Sequence, residues 1–141
     1  MKIIDIKRTE RTPEIILDAE EKIFEIKGKC LPENIVDFDL LVTEKLSNYL
    51  RKCFEEDSEC ADNRTFKVNL KLAYFNSAAA KFIADILMVV NNYIRKGYNI
   101  KIYWYFQEDD DDMQEAGEEF AEMLEIPINF VMVSQDNDEM D

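Results

Sequence analysis

Polar and apolar residues change their period several times along this 141-residue chain, and each change marks an element. Residues 3–6, "IIDI", suggest a short edge strand. After Pro13 come two isoleucine-rich runs, "EIILD" and "KIFEIKG", the second alternating through Ile23, Glu25 and Lys27. Only "AEE" separates them, a connection that predicts an antiparallel hairpin whose second strand closes at Gly28.

The period then lengthens. In "LPENIVDFDLLVTEKLSNYLRKCFEE", Ile35, Phe38, Leu41, Val42, Leu46, Tyr49, Leu50 and Cys53 recur at three- and four-residue steps, the mark of an amphipathic helix. Pro32 and Glu33 suit its first turn. "EDSECADN" is polar and reads as a loop that exposes Cys60. "RTFKVNLKLAYF" returns to period two, with Phe66, Val68, Leu70 and Leu72 on one face and Lys67, Asn69 and Lys71 on the other. A second helix runs from about Ser77 to Lys96, striped by Phe82, Ile83, Ile86, Leu87 and Val90, and stops at Gly97. "YNIKIYWYF" is a strand, "QEDDDDMQEAGEEFAEMLEI" a charged turn and helix, and "PINFVMV" a last strand.

Parallel strands joined through helices of this length require right-handed crossovers. The expected fold is therefore α/β, a mixed sheet with an N-terminal antiparallel hairpin, parallel β-α-β crossovers and helices packed on the sheet. One domain is expected over residues 1–133, with an acidic, disordered tail over 134–141.

Composition narrows the chemistry. The net charge of −14, from 31 acidic and 17 basic residues, disfavours nucleic acid and anionic lipid, and calls for a partner with a basic face. The absence of histidine removes Ser-His-Asp and Cys-His catalysis and His-ligated zinc. Three cysteines, Cys30, Cys53 and Cys60, without a CxxC spacing fit reduced thiols in a cytoplasmic protein. No signal-peptide pattern opens the chain, and Asp85 and Asn91-Asn92 interrupt its longest apolar segment, so no membrane insertion is expected. The run "EDDDD" at 108–112 fails as an EF-hand: from Asp109 the sixth and twelfth positions are Gln114 and Phe120, from Asp111 they are Ala116 and Glu122. It reads as a solvated turn whose carboxylates favour a helix start. In "IYWYF", alternate aromatic residues enter the core; acidic flanks argue against a base-stacking platform. No metal or cofactor is expected.

The remaining candidate is "YFNSAAAK", residues 74–81, where a strand gives way to a helix. Ser77 lies past the carboxyl end of a parallel strand, the usual functional edge of an open α/β sheet. Two readings stand side by side. A serine here is a good helix N-cap, contributing ~1 kcal/mol. Alternatively, a phosphate on Ser77 would meet the positive end of the helix dipole, with Ala78, Ala79 and Ala80 leaving room for a kinase.

The stretches "TPEIILD", "KIFEIKGKCLPEN", "LKLAYFNSAAAKFIADIL" and "IYWYFQEDDDDMQEAGEEFAE", in order from about Thr12 to Glu125, resemble the SiaC family of bacterial regulatory phosphoproteins. That family is similar in layout and control to STAS-type anti-sigma-factor antagonists. The resemblance implies a STAS-like domain without enzymatic activity, with Ser77 after Asn76 as the phospho-acceptor of a dedicated protein kinase and a PP2C-type phosphatase. It implies an unphosphorylated form that binds and activates a diguanylate cyclase, raising cyclic di-GMP and promoting biofilm formation. The expected docking surface comprises Asn76, Ser77, Ala78 and Lys81, and the resemblance adds Pro32, Glu33 and Asn34 of "LPEN". Two positions depart from the family pattern: Ala78-Ala79-Ala80 replace frequent hydroxyl residues, and Cys30 stands where a small hydroxyl residue is common. An anti-sigma-factor antagonist would use the same switch surface. A small-ligand or nucleotide-binding module would lack a phosphate loop, since Gly28, Gly97 and Gly117 are scattered.

Overall fold

The hairpin expected near the start of the chain is present and feeds a six-stranded sheet. The computed structural model describes residues 1–56 and 64–134. Strands β1 (Lys2–Ile6), β2 (Glu14–Asp18) and β3 (Ile23–Cys30) pair antiparallel in succession. β4 (Phe66–Phe75), β5 (Ile100–Gln107) and β6 (Asn129–Val133) continue parallel to β3, so the strands lie in chain order from one edge to the other. Three helices cross between the parallel strands: α1 (Ile35–Leu50), prolonged by a π-helical turn (Arg51–Glu56), α2 (Ser77–Arg95) and α3 (Asp111–Met123).

Each crossover steps one strand in the same direction, and right-handedness therefore places all three helices on one face. Burial follows the strand period. Phe24, Ile26, Val68, Leu70, Ile102 and Trp104 are fully buried against the helices, each such side chain contributing about 1.5–3 kcal/mol. Tyr103 and Tyr105, their alternates on β5, are half-buried on the helix-free face. Asn69 and Lys71, on the polar face of β4, are buried as well. The Lys71 ammonium sits 2.8 Å from the Glu25 carboxylate and 4.9 Å from the centre of the Tyr105 ring, so side chains of flanking strands cover the middle one.

Three features differ from the sequence expectation. β3 does not close at Gly28 but passes through it, at a φ of 114°, to Cys30. Only glycine enters that conformation easily, and a Cβ there would lie 2.8 Å from the Arg8 Cδ. Opposite it, β4 carries one extra residue: Gly28 pairs with Leu72 and Lys29 with Tyr74, skipping Ala73, which makes a β-bulge. Second, Pro32 and Glu33 precede α1 instead of entering it. Asn34 is the cap, accepting the Asp37 N–H, because a helix beginning at Pro32 would be capped by Leu31, whose side chain accepts nothing. Third, Cys53 is disulfide-bonded, whereas Cys30 is a free buried thiol. An odd cysteine count excludes only the pairing of all three. The expectations for Cys60 and for residues 135–141 lie outside the described residues. Among the described residues no helix is long and apolar enough to cross a membrane.

α3 is clamped to the sheet by one tight contact. The Trp104 indole Nε1 donates to the Met113 carbonyl at 2.9 Å, and an added Cβ at Gly117 would lie 2.6 Å from that nitrogen and 2.8 Å from Phe130. Gly117→Ala is expected to destabilise the protein by about 1–3 kcal/mol by overpacking, although alanine is the better helix former. Urea denaturation of both forms measures the difference, and a stabilised variant would refute this packing.

Candidate functional site

One side chain settles which residue caps α2. Asn76 has extended backbone, its Oδ1 accepts the Ala79 N–H at 2.9 Å, and its carbonyl accepts those of Ala79 and Ala80. Of the two readings left open for Ser77, the cap thus belongs to Asn76. Asparagine is at least as good a cap as serine and needs no further residue to complete the turn. Ser77 becomes the first helical residue, exposed, and no hydrogen bond or ion pair engages its side chain among the described residues. The first turn holds no acidic residue, so the positive end of the dipole stands uncompensated beside the hydroxyl.

The bulge in β4 sets the approach to this joint. Simple alternation past Leu72 would turn Tyr74 towards the helices. The extra residue reverses that: Tyr74 is 54% exposed, and Phe75 packs edge-on to Trp104, with ring centres 6.4 Å apart, and against Phe120 at 6.2 Å.

Beyond the joint, α1 and α2 leave a groove of about 510 Å³ between them. Ile35, Val36, Asp39, Leu40 and Thr43 line it from α1; Ala78, Lys81, Phe82, Asp85, Met88 and Val89 line it from α2. Val36, Leu40 and Met88 are 64%, 61% and 48% exposed, so large apolar side chains rim the groove. Its polar centre is Lys81, whose ammonium lies 2.8 Å from an Asp85 oxygen and 3.8 Å from one of Asp39. Ser77, Lys81 and Asp85 follow one another at four-residue spacing and therefore share one face of α2.

The two carboxyl groups are driven apart in acidity. Burial pushes Asp39 up to about 6, with a hydrogen bond to Asp85 and repulsion by its charge acting in the same sense, against the partial relief of Lys81. Burial would raise Asp85 too, but hydrogen bonds from Asp39 and Lys81 outweigh it and hold that carboxyl below its usual value. Asp39 is thus the member that takes up a proton first as pH falls, and once protonated it donates to Asp85. Lys81 is held above the ordinary lysine value, chiefly by its hydrogen bond to Asp85.

Of the residues expected at the docking surface, Ala78 and Lys81 line the groove, while Asn34 and Asn76 cap the two helices that form it. Pro32 is half-buried and Glu33 exposed in the segment leading into α1, and neither lines the groove. Sequence reasoning missed Val36, Asp39, Leu40, Asp85 and Met88. Their signal is present in "IVDFDLLV" and "ADILMVV": apolar residues continue outside the buried stripe, and aspartates (Asp37 and Asp39 in the first, Asp85 in the second) interrupt the runs. In the acidic run, Asp110 caps α3 by accepting the Met113 N–H, and Asp111 and Asp112 occupy its first turn.

Two measurements probe this geometry. Asn76→Ala is expected to cost ~1 kcal/mol of stability and Ser77→Ala only a few tenths, since Ser77 caps nothing; the reverse ranking in chemical denaturation would refute the assignment. For Asp39, a folded value of about 6 against an ordinary 3.8 means its contribution to stability is full below the lower value and lost as pH rises through the upper one. Asp39→Asn, which mimics the protonated acid, should therefore gain in Tm on the wild type as pH is raised from about 4.5 to about 7. A constant Tm difference across that range would show the carboxyl to be unperturbed.

The SiaC family regulatory phosphoprotein model matches residues 6–133. An uncharacterised protein of Pseudomonas aeruginosa (strain UCBPP-PA14) is 25% identical over 128 residues, which cover 90% of this chain and 94% of that protein. The crystal structure of apo-SiaC from Pseudomonas aeruginosa superposes with a TM-score of 0.73 at 24% identity, covering 92% of this chain and 98% of its own. A chain of the crystal structure of the diguanylate cyclase SiaD in complex with its activator SiaC, from the same organism, matches with a TM-score of 0.72 at 21% identity, over 94% of this chain and 99% of that one. At these identities the two structural likenesses concern the fold.

Proposed function

Because this chain belongs to the SiaC family of regulatory phosphoproteins, we propose that it is a non-enzymatic switch in which reversible phosphorylation of Ser77 controls binding to a diguanylate cyclase. The observation that carries this reading is the cap: Asn76 takes the structural role at the joint, leaving the Ser77 hydroxyl exposed and unengaged among the described residues. The similar SiaC of Pseudomonas aeruginosa is an activator of the cyclase SiaD and is found in complex with it. A dedicated kinase and a PP2C-type phosphatase add and remove the phosphate.

The unmodified form docks. A phosphate brings a charge of about −1.5 to −2 and three acceptor oxygens to the end of the α1–α2 groove. The helix N-terminus stabilises it by roughly 0.3–1 kcal/mol, so the modified state is tolerated. Lys81, one turn along the same face, is drawn towards it and away from Asp85 and Asp39. Ala78, next in the chain, already lines the groove, and a hydrated dianion beside apolar surface resists the dehydration that docking requires.

Ser77→Ala is expected to fold, to bind the cyclase like the unmodified protein and to incorporate no phosphate from the cognate kinase. Affinity capture with unmodified and phosphorylated protein, followed by mass spectrometry, checks partner and switch together. Phosphate appearing in the alanine variant at normal stoichiometry would refute the site; capture of an anti-sigma factor in place of a cyclase would refute the partner.

A further inference from the structure

The groove between α1 and α2 combines an apolar rim with a charged centre, and that combination defines an occupant. We propose that it is the docking site for an amphipathic helix of the partner, whose apolar stripe packs between Val36, Leu40 and Met88 and whose lysine or arginine reaches the Asp39–Lys81–Asp85 cluster. The proposal rests on the Ser77 reading for the partner's identity, and adds where that partner binds and through which element.

Length fits a helix. The α2 lining runs from Ala78 to Val89, roughly 16 Å at 1.5 Å per residue, or about three turns. Val36 and Leu40, four residues apart, form a ridge on α1 of the kind that a third helix meshes with. A stripe with three- to four-residue spacing would satisfy the exposed Val36, Leu40 and Met88, which pack into no core of their own.

Charge selects a cation. Two carboxyl groups face a single ammonium. Asp39 is the more covered of the two and the less compensated, with the Lys81 ammonium 3.8 Å away against 2.8 Å for Asp85. An incoming lysine or arginine pairs with that under-compensated carboxylate. The net charge of −14 also speeds the approach of a basic segment and opposes a second copy of this chain.

The test uses the purified diguanylate cyclase that the unmodified protein captures. Leu40→Glu and Met88→Glu alter exposed positions, so circular dichroism should show unchanged folding, while cyclase affinity in calorimetry falls about tenfold or more. Asp39→Asn should weaken binding less and reduce its dependence on salt. A photo-crosslinker at position 40 should capture a cyclase peptide with apolar residues at helical spacing and a lysine or arginine among them. Wild-type affinity in both glutamate variants, or a crosslinked peptide that is acidic or extended, would overturn the groove even if phosphorylation of Ser77 still releases the cyclase. If the glutamate variants lose binding while phosphorylated and unmodified protein bind alike, the groove stands and the Ser77 switch falls.

Discussion

The extra residue in β4 opposite the Gly28–Lys29 step decides what this protein shows to its surroundings. A strand in simple alternation would send Tyr74 into the helix layer and leave Phe75 outside. The bulge exchanges them, and Phe75 locks against Trp104 and Phe120. Trp104 is in turn tied to the Met113 carbonyl of α3. The chain therefore leaves the sheet from a fixed anchor, with a single residue, Asn76, in which to turn into α2. That residue becomes the cap, and the serine behind it is pushed outward with its hydroxyl unused. A local irregularity of pairing thus leaves an exposed alcohol on a fixed base, as the proposed modification and docking would require.

Two lysine–carboxylate pairs illustrate how burial separates structural from functional charge. Lys71 and Glu25, 2.8 Å apart, are mostly covered and stacked beneath Tyr105; they hold the middle of the helix-free face. Lys81 and Asp85 have the same separation, but the lysine is 79% exposed. Exposed pairs are worth about 0–1 kcal/mol, so the fold loses little when Lys81 moves. A cation that can be redirected without endangering the fold, one turn from a modifiable serine and inside an apolar rim, is suited to changing association.

Much of this was legible in the sequence because period reports burial directly. The order of strands and helices, the hairpin and the aromatic pair Trp104 and Phe106 that enters the core all follow from alternation and helical stripes. The misplaced features are those in which a single residue overrides the period. Gly28 looks like a stop, yet its positive φ carries a bulge, and the pairing partner that reveals this lies some forty residues away. Pro32 looks like a helix start, but Asn34 supplies the side-chain acceptor. At the candidate site, Ser77 was visible as a residue while its release from capping was not, because Asn76 and Ser77 are both competent caps and only geometry chooses. The groove was hidden for another reason: Asp39 and Asp85 meet only when two helices from separate crossovers lie side by side.

The magnitudes explain why the proposed switch would act on binding and not on folding. A domain of this size is stable by about 5–15 kcal/mol, and an anion at a helix N-terminus changes that by under about 1 kcal/mol in the favourable direction. A phosphate on Ser77 would therefore leave the core that carries it intact. Docking draws on a smaller margin. In the proposed groove it would have to dehydrate Val36, Leu40 and Met88 while holding a cation over Asp39 and Asp85, and each 1.4 kcal/mol lost would weaken it about tenfold. A dianion at the mouth of the groove would keep its water, compete for the incoming cation and pull Lys81 out of register, so its several small costs would fall together on the proposed association. The anchored joint would confine the effect to that surface: Phe75 and Asn76 hold the first turn of α2 in place, so it would not yield to a phosphate by shifting.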